Sequence, residues 1–336
     1  QVHRAAMEIR QRDAQLLEAR RELDRALRPG DGRRSGELLG GYRLGELLGR
    51  GGMGEVYRAQ HLETGRQAAV KVLHAHILDS PEHIERFLRE AEVAAAVKSP
   101  HAVELLEVGR GGDDTPFLVM ELLDGHDLSW HLRRSGKLSL SSVVDLVREL
   151  GQALVALREA GIIHRDLKPG NLFLTNSLPP VWKVLDFGLS KRVGTSSSLT
   201  RDQALGTPSY MAPEQIGGEV DHRSDLYAVA AIAYRAVTGS PPFAGEDVAE
   251  VLLNVIYAQP GAPARFVSLP SDVELVLAIG LAKKAGDRFQ RIEELCEALR
   301  LAAVGELDDA TRRRGWALLK RAPWGSSTRS EGRKAA

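Results

Sequence analysis

Two segments of the sequence carry residue types that suit phosphoryl-transfer chemistry. Residues 164–171 read His-Arg-Asp-Leu-Lys-Pro-Gly-Asn, and Asp186-Phe187-Gly188 follows a predicted apolar strand at 182–185. Phosphoryl transfer depends on positioning and charge neutralisation. It calls for a carboxylate at the attacking hydroxyl, oxygen ligands for a metal that bridges phosphates, and a cation near the transferred group. These groups are supplied in turn by Asp166, by Asp186 with Asn171, and by Lys168. Oxygen donors of this kind suit Mg²⁺, so the segments predict a magnesium-dependent site.

A second candidate site is the glycine-rich segment 49–56, which fits the pattern G-x-G-x-x-G-x-V between two predicted strands. Without side chains, Gly49, Gly51 and Gly54 let backbone N–H groups come close to phosphate oxygens. Dinucleotide-binding folds share this spacing, but there the glycines open a helix. The order strand, loop, strand therefore favours a phosphate-binding hairpin, in which Val56 covers a nucleotide base.

The next candidates are two opposite charges. Lys71 ends the apolar run Ala68-Ala69-Val70, and Glu90 lies in the middle of a predicted helix at 81–97. A lysine that faces inward from a strand needs an anion, which nucleotide phosphates or a carboxylate can supply. Taken separately, such residues are usually surface charges. Their pairing gains weight from the motifs that follow them in the chain.

Together these segments resemble the eukaryotic-like serine/threonine protein kinases of bacteria, in which Gly-Gly-Met-Gly-Glu-Val-Tyr at 51–57 is typical. The resemblance runs from Gly41 to Val304, with the signature segments in order. It implies an α+β fold of two lobes, a small β-rich N-lobe at 41–123 and a larger helical C-lobe at 124–304, with an ATP cleft between them. It also implies ATP and Mg²⁺ as cofactors and proteins as substrates.

The resemblance assigns roles to the residues of these motifs. In the catalytic set, Asp166 is the base, Lys168 steadies the γ-phosphate, Asn171 and Asp186 hold Mg²⁺, and Lys71 contacts the α- and β-phosphates while pairing with Glu90. Around the adenine lie the gatekeeper Met120, the hinge residues Glu121 and Leu123, and the apolar residues Val56, Ala69 and Phe173.

The family pattern also covers the activation segment, which begins at Asp186 and closes at Ala212-Pro213-Glu214. It implies a buried pair between Glu214 and Arg288. Asp225 would anchor the backbone of the catalytic loop, and its position at a helix start also suits an N-cap. Arg165 would bind a phosphate on this segment. The predicted acceptors are Thr200 first and Ser198 second, and Thr207 matches the Ser/Thr branch.

Two other functions share some of these motifs with an active protein kinase. A pseudokinase scaffold requires that Lys71, Asp166 or Asp186 be missing, and none is missing. A small-molecule phosphotransferase shares the base and the metal ligands but lacks a long activation segment. Only the protein kinase interpretation uses every motif.

The composition fits this interpretation. The 336 residues include 45 basic and 45 acidic residues, a balance that gives no reason to expect nucleic-acid binding. A single cysteine, Cys296, excludes an internal disulfide and suits a reducing cytosol. The longest apolar run, 226–234, is too short to cross a membrane and predicts a buried helix. With no signal peptide at the start of the sequence, a cytoplasmic location is expected.

The elements that must position these residues follow from hydrophobic periodicity. The predicted strands, besides the one at 182–185, are 42–48, 55–61, 67–73, 103–109 and 117–121. The predicted helices, after the one at 81–97, are 142–160, 224–238, 248–257, 272–283 and 292–304.

The two ends of the chain differ from the rest. Residues 1–28 predict a polar helix with an apolar residue every seven positions, at Val2, Ile9, Leu16 and Leu23. Two interpretations stay open, a helix that dimerises the chain and a solvated extension. A homodimer through the N-lobe is the other contact considered. Residues 29–40 are expected to be a flexible linker. Residues 305–336 are expected to be a disordered basic tail, and membrane association through this tail is the weaker alternative.

Overall fold

The computed structural model of the chain describes residues 32–51, 54–74, 81–112, 114–186 and 208–325. They form two compact units. The first contains the residues up to Ala95 together with Leu105–Leu123, and the second contains Ala96–Glu104 and the residues from Asp124 onward. Strands dominate the first unit and helices the second, so the predicted α+β class is confirmed.

An antiparallel sheet of six strands makes up most of the first unit. The strands are β1 (Leu38–Leu39), β2 (Tyr42–Gly51), β3 (Gly54–His61), β4 (Gln67–Leu73), β5 (Leu105–Arg110) and β6 (Pro116–Glu121). They lie in the order β1-β2-β3-β4-β6-β5. The turn between β3 and β4 ends at Gly65, which has φ of +70°. Turns of this kind let neighbouring segments of the chain pair as a meander.

The apolar core of the first unit lies on one face of this sheet. Tyr57, Val70 and Phe117 are buried there, on β3, β4 and β6 respectively. The helix α1 (Pro81–Ala95) packs against β5 and β6. Its buried residues Phe87 and Ala91 stand one helical turn apart, so α1 presents a single apolar stripe.

The second unit is mainly helical. Its helices are α2 (Leu128–Ser135), α3 (Leu140–Glu159), α4 (Pro213–Gly217), α5 (His222–Thr238), α6 (Val248–Tyr257), α7 (Ser271–Gly280), α8 (Ile292–Ala303) and α9 (Asp309–Arg321). A small antiparallel sheet joins β7 (Gly125–Asp127), β8 (Leu172–Thr175) and β9 (Trp182–Val184) in that order. Of the three strands, only β9 matches a predicted strand, the one at 182–185, whereas β7, β8 and the helices α2, α4 and α9 were not predicted.

The centre of the second unit is α5, which is buried along most of its length and contacts α3 and α7. The Asp221 side chain caps its start by accepting a hydrogen bond from the Arg223 N–H at 2.7 Å. Gly239, with φ of +82°, ends the helix in the left-handed region that favours glycine. The buried helix predicted at 226–234 is thereby confirmed.

The segment Ala96–Glu104 packs with the second unit, although the sequence analysis assigns it to the N-lobe. The Val103 N–H donates to the Val184 carbonyl at 2.9 Å, and the Val184 N–H donates to the His101 carbonyl at 2.8 Å. Because these bonds tie the segment to β9, the boundary between the units is not a single point in the chain.

The predicted flexible linker at 29–40 is wrong for its described part. The Ser35 hydroxyl donates to the Gly45 carbonyl at 2.8 Å, and the Gly36 N–H donates to the Leu44 carbonyl at 2.7 Å. Beyond them β1 pairs with β2. A tight turn joins these two strands, and Gly40 and Gly41 have positive φ there.

The predicted disordered tail at 305–336 is wrong over α9. Asp308 caps this helix by accepting a hydrogen bond from the Thr311 N–H at 2.9 Å. Leu318 is buried, and Arg312 pairs with Asp272 of α7 at 2.8 Å. The basic residues misled the prediction, because an apolar side and a cross-helix ion pair hold α9 on α7. Residues 326–336 lie outside the described residues, as does the predicted helix at 1–28.

None of the helices in the described ranges combines the length and the hydropathy that a membrane span requires.

Candidate active site

Four residues predicted to contact the nucleotide lie on one face of the sheet in the first unit. Val56 on β3 stands opposite Lys71 on β4, and Ala69 on β4 stands opposite Met120 on β6. Cross-strand partners share a face, and so do residues two apart on one strand. All four side chains therefore project from the face opposite the core that contains Tyr57.

The glycines of the hairpin between β2 and β3 differ in how much space surrounds the position of a Cβ atom. A Cβ on Gly54 would stand 2.1 Å from the Val72 carbonyl oxygen, so packing within the sheet requires glycine there. A Cβ on Gly49 would meet nothing within 4 Å, and one on Gly51 only the Gly54 carbonyl at 3.9 Å. The chain itself does not require glycine at these two positions. Open space beside the backbone is what a phosphate group would need.

The first unit also contains the predicted pair of Lys71 and Glu90 and the predicted hinge residues Glu121 and Leu123. Lys71 is half-buried on β4, and Glu90 is half-buried in the middle of α1. The pairing of these two charges stays a prediction. Glu121 ends β6 opposite Ala68 of β4, and Leu123 follows it as the last residue of the unit.

In the second unit, Asp225 anchors the segment that contains Asp166. One carboxylate oxygen of Asp225 accepts the His164 N–H at 2.8 Å, and the other accepts the Arg165 N–H at 2.9 Å. Burial raises the pKa of Asp225, and these two N–H bonds oppose that effect. Arg165 has φ of +64°, a strained conformation that the paired bonds help to hold. This geometry fits the role that the resemblance implies for Asp225, which is to anchor the backbone of the catalytic loop.

His164 links the catalytic loop to the segment before Asp186. Its side chain is fully buried, and Nε2 lies 2.9 Å from the Leu185 carbonyl oxygen. Since a carbonyl only accepts, Nε2 carries the proton. Nδ1 then accepts the Asp166 N–H at 3.3 Å. The imidazole thus spans the two motifs from its buried position.

Asp166 lies at the centre of a small polar cluster. Its Oδ2 is 2.9 Å from the Lys168 ammonium and 3.2 Å from the Asn171 amide nitrogen. The same amide nitrogen donates to the Asp166 carbonyl at 2.8 Å. The structure therefore brings three of the predicted catalytic residues together. A carboxylate and an ammonium group held this close are the kind of positioned charges that phosphoryl transfer uses.

The predicted metal ligands fit Mg²⁺ by the chemistry of their donors. Because the Asn171 amide nitrogen is used on Asp166, the amide oxygen is left for another partner. The Leu185 N–H donates to the Asn171 carbonyl at 2.8 Å, which places Asp186 next along the chain from that contact. Asp186 is exposed and has φ of +51°. An amide oxygen and a carboxylate are hard oxygen donors of the kind that Mg²⁺ takes beside phosphate.

Phe173 is half-buried on β8, directly after this loop. It pairs with Lys183 on β9 and with Asp127 on β7. The predicted role of Phe173 against the adenine stays a prediction.

Glu214 and Arg288, predicted to pair, are in direct contact. The two guanidinium NH₂ groups donate to the two carboxylate oxygens, each at 2.7 Å. Arg288 has no exposed surface. Burial alone would raise the pKa of Glu214, but the bonds from Arg288 and from the Ser224 hydroxyl outweigh it and keep the pKa below its usual value.

Sequence reasoning missed two residues that serve these contacts. The Gln215 amide donates to the Arg165 carbonyl at 3.0 Å, and its oxygen accepts the Ala212 N–H at 2.8 Å. The Ser224 hydroxyl donates to Glu214 at 2.7 Å. A glutamine three residues after the N-cap is a known capping pattern, so the sequence held a signal for Gln215. Ser198, Thr200 and Thr207 lie outside the described residues.

Comparison with known proteins agrees with this geometry. The family model of the protein kinase domain matches residues 42–273. Serine/threonine-protein kinase Pkn1 of Myxococcus xanthus is 38% identical over 305 residues, which cover 88% of this chain and 44% of that protein. PknA of Mycobacterium tuberculosis is 35% identical over 273 residues, which cover 80% of this chain and 62% of that protein. The chain thus spans about half the length of these relatives.

A solved structure gives the same result at the level of the fold. The crystal structure of the Mycobacterium tuberculosis PknI kinase domain matches with a TM-score of 0.66 and 30% sequence identity. The match covers 81% of this chain and 100% of that chain. The family model alone covers more than half of the chain. The chain therefore belongs to the protein kinase family, in its bacterial eukaryotic-like serine/threonine branch.

Proposed function

We propose that this chain is an active protein kinase that transfers the γ-phosphate of ATP to Ser or Thr hydroxyls of proteins. The observation that carries the proposal is the cluster of Asp166, Lys168 and Asn171, in a loop whose backbone donates two hydrogen bonds to the Asp225 carboxylate. Positioned charges of this kind are what phosphoryl transfer requires.

In the proposed reaction, Asp166 orients the substrate hydroxyl and accepts its proton. The hydroxyl oxygen forms a bond to the γ-phosphorus while the bond to the β–γ bridging oxygen breaks, and ADP leaves. Lys168, 2.9 Å from Asp166, is placed to neutralise charge on the transferred group. Bound Mg²⁺ would supply charge neutralisation at the phosphates, and Asn171 and Asp186 would hold it. Ser/Thr specificity is proposed from the relatives and from Lys168 and Thr207.

The first unit supplies the proposed nucleotide contacts. Lys71 would bind the α- and β-phosphates, Gly49 and Gly51 would admit phosphate oxygens, and Val56, Ala69 and Met120 would contact the base. This assignment is supported by the register, which places Val56, Ala69, Lys71 and Met120 on one face of the sheet. The chain retains Lys71, Asp166 and Asp186, the groups whose loss marks a pseudokinase.

The direct test is phosphoryl transfer by the purified chain. We expect it to incorporate ³²P from [γ-³²P]ATP into a generic basic protein when Mg²⁺ is present and not when EDTA is added. Mass spectrometry of the products would locate modified Ser and Thr residues. The Asp166→Asn variant is the matched control for a contaminating kinase. Equal incorporation by this variant would remove the proposal.

Regulation by the activation segment is a further part of the proposal. Arg165 would bind a phosphate on Thr200 or Ser198, since a phosphate forms several charge-assisted bonds to arginine. We expect the double variant Thr200→Ala, Ser198→Ala to lose most of its activity on an exogenous substrate after full incubation with ATP. Undiminished activity would show that phosphorylation of this segment does not control the enzyme.

Self-association and location complete the proposal. The seven-residue repeat at 1–28 is proposed to dimerise the chain in the cytoplasm, which would raise the rate of trans-autophosphorylation by increasing local concentration. Light scattering of the full chain and of the Leu16→Asp, Leu23→Asp variant would test this. A monomer in both cases contradicts it. Sedimentation with anionic vesicles would separately test the alternative that the basic tail binds membranes.

A further inference from the structure

Residues 32–39, here called the N-terminal strap, fold onto the sheet of the first unit although the family match begins only at residue 42. The Gly36 N–H donates to the Leu44 carbonyl at 2.7 Å, and the Leu44 N–H donates to the Glu37 carbonyl at 2.9 Å. The Ser35 hydroxyl adds a bond to the Gly45 carbonyl. The strap is therefore an ordered addition to β2.

The strap contacts Tyr57 on β3 at close range. The Arg34 N–H donates to the Tyr57 hydroxyl at 3.0 Å. A Cβ on Gly32 would stand 2.3 Å from the Tyr57 ring, so only glycine lets the strap approach this closely. Tyr57 has no exposed surface.

The Tyr57 hydroxyl connects the strap to Glu55 through hydrogen bonds. Burial and the bond to Glu55 raise the pKa of Tyr57, so the phenol keeps its proton and donates it to Glu55 Oε2 while accepting from Arg34. Glu55 is buried, and its other oxygen accepts a hydrogen bond from Arg50 Nε at 3.0 Å. Arg50 lies between Gly49 and Gly51 of the proposed phosphate-binding hairpin.

The hydrogen-bonded series of Arg34, Tyr57, Glu55 and Arg50 is here called the relay. It lies on the face of the sheet opposite the nucleotide residues. Glu55 and Tyr57 flank Val56 in sequence, and alternate residues of a strand point to opposite faces. The relay thus connects the hairpin to the strap on the core face of the sheet and leaves the opposite face open to the nucleotide. We propose that Tyr57 and Glu55 are positioning residues through which the N-terminal strap fixes the glycine-rich hairpin for nucleotide binding. This inference rests on the proposed function.

The first test is Tyr57→Phe, which removes one hydroxyl and keeps the ring. We expect the Kd for Mg·ATP, measured by calorimetry on the full chain, to rise about five-fold, because a buried bond to a charged group is lost. The KM for ATP should rise by the same factor, with kcat changed less than two-fold. Tyr42→Phe is the matched control, since Tyr42 is also buried in this unit but is not part of the relay.

The second test asks whether the strap acts through Tyr57. Gly32→Ala places a methyl group against the Tyr57 ring and should displace the strap, with a similar rise in Kd. The double variant Gly32→Ala, Tyr57→Phe should be no weaker than either single variant, because both break one relay. Gly112→Ala is the control, as its Cβ meets nothing within 4 Å.

The outcomes separate this inference from the proposed function. A Tyr57→Phe chain with a lower Tm but an unchanged Kd would overturn the relay, as would effects of Gly32→Ala and Tyr57→Phe that multiply in the double variant. If Tyr57→Phe does not fold, Glu55→Gln must show the weaker binding instead, and an unchanged Kd there overturns the inference. A wild-type chain that binds Mg·ATP without transferring phosphate removes the proposed function only, and the Kd comparison still decides the relay. A wild-type chain that binds no Mg·ATP removes both.

Discussion

Arg288 and Glu214 form a bidentate ion pair in which every N–H of the guanidinium group has an acceptor. Two of the donors reach the Glu214 carboxylate, and the other three reach carbonyl oxygens of Ala282, Arg223 and Lys283 at 2.8 to 3.1 Å. The guanidinium carbon also lies 4.8 Å from the centre of the Tyr227 ring. The pair therefore joins α4, the start of α5 and the loop after α7 at one buried point.

Removing Arg288 should destabilise the chain severely. Breaking a buried pair leaves an uncompensated charge, which costs about 3–5 kcal/mol. We expect Arg288→Ala to lower Tm by at least about 6 °C in thermal unfolding followed by circular dichroism. Arg291→Ala is the control. Its side chain is 62% exposed, and its ion pair with Glu293 belongs to a class worth about 0–1 kcal/mol. Equal, small shifts for both variants would refute the importance of the buried pair.

The same pair should give the chain a specific dependence on pH. The pKa of Glu214 is held below the ordinary value of 4.5, so its contribution to stability is full above pH 4.5 and is lost as pH falls through the lower folded value. In Arg288→Ala, the bonds from Arg288 no longer oppose burial and only weaker contacts such as the Ser224 hydroxyl remain. The pKa of Glu214 therefore rises, and its carboxylate is protonated at a higher pH than in the wild type.

We therefore expect the Tm difference between wild type and Arg288→Ala to narrow as pH falls from 7 to 4. Denaturation scans at several pH values would measure this difference. A gap that stays constant over this range would mean that Glu214 does not titrate as its contacts require.

How far the sequence predicts this structure depends on how local each feature is. Asp166, Lys168 and Asn171 lie within one short segment, so their types and spacing already indicate their cluster. The partners of Arg288 are different. Three of them are backbone carbonyls, which no residue type reveals, and Glu214 was found only through the resemblance to a family.

Short elements escaped prediction for a physical reason. β7 has three residues, too few for a period of two to be recognised. The helix α2 buries only Leu128 and Leu132, one pair of apolar positions in eight residues. The strap was predicted to be a linker because the sequence does not distinguish two kinds of glycine. Some, such as Gly32, allow close packing, and others allow the chain to move.

Substitutions of the two aspartates should separate catalysis from nucleotide binding. Asp166 contacts Lys168 and Asn171 and is not a proposed ATP ligand, so Asp166→Asn should bind Mg·ATP nearly as the wild type does. Its turnover should fall about 10²- to 10⁴-fold, the range expected for a lost general base. Asp186→Asn should weaken Mg·ATP binding and turnover together, because a proposed metal ligand loses its charge. Nucleotide titration beside an autophosphorylation assay tests both, and near-native turnover by Asp166→Asn would exclude it as the base.

The docking of α9 depends on Gly315. A Cβ at this position would stand 2.7 Å from the Leu275 Cβ of α7 and 3.3 Å from its Cα, so the two helices touch through the missing side chain. On either side of it, Arg312 pairs with Asp272, and Arg314 donates to the carbonyls of Asp287 at 3.0 Å and of Arg288 at 2.5 Å. The helix thus supports the backbone on which the buried arginine sits.

Gly315→Val should push α9 away from α7 and destabilise the chain by about 1–3 kcal/mol, the usual penalty of overpacking. Arg314 would then lose its hydrogen bond to the Arg288 carbonyl. We therefore also expect faster amide hydrogen exchange in the loop after α7 and in α4, where Glu214 lies. Gly286→Ala is the control, since it lies in the same loop, has open space at its Cβ position and should shift stability by less than about 0.5 kcal/mol. If amide hydrogen exchange in Gly315→Val is faster only within α9 itself, then α9 packs on the second unit without supporting the Glu214–Arg288 pair.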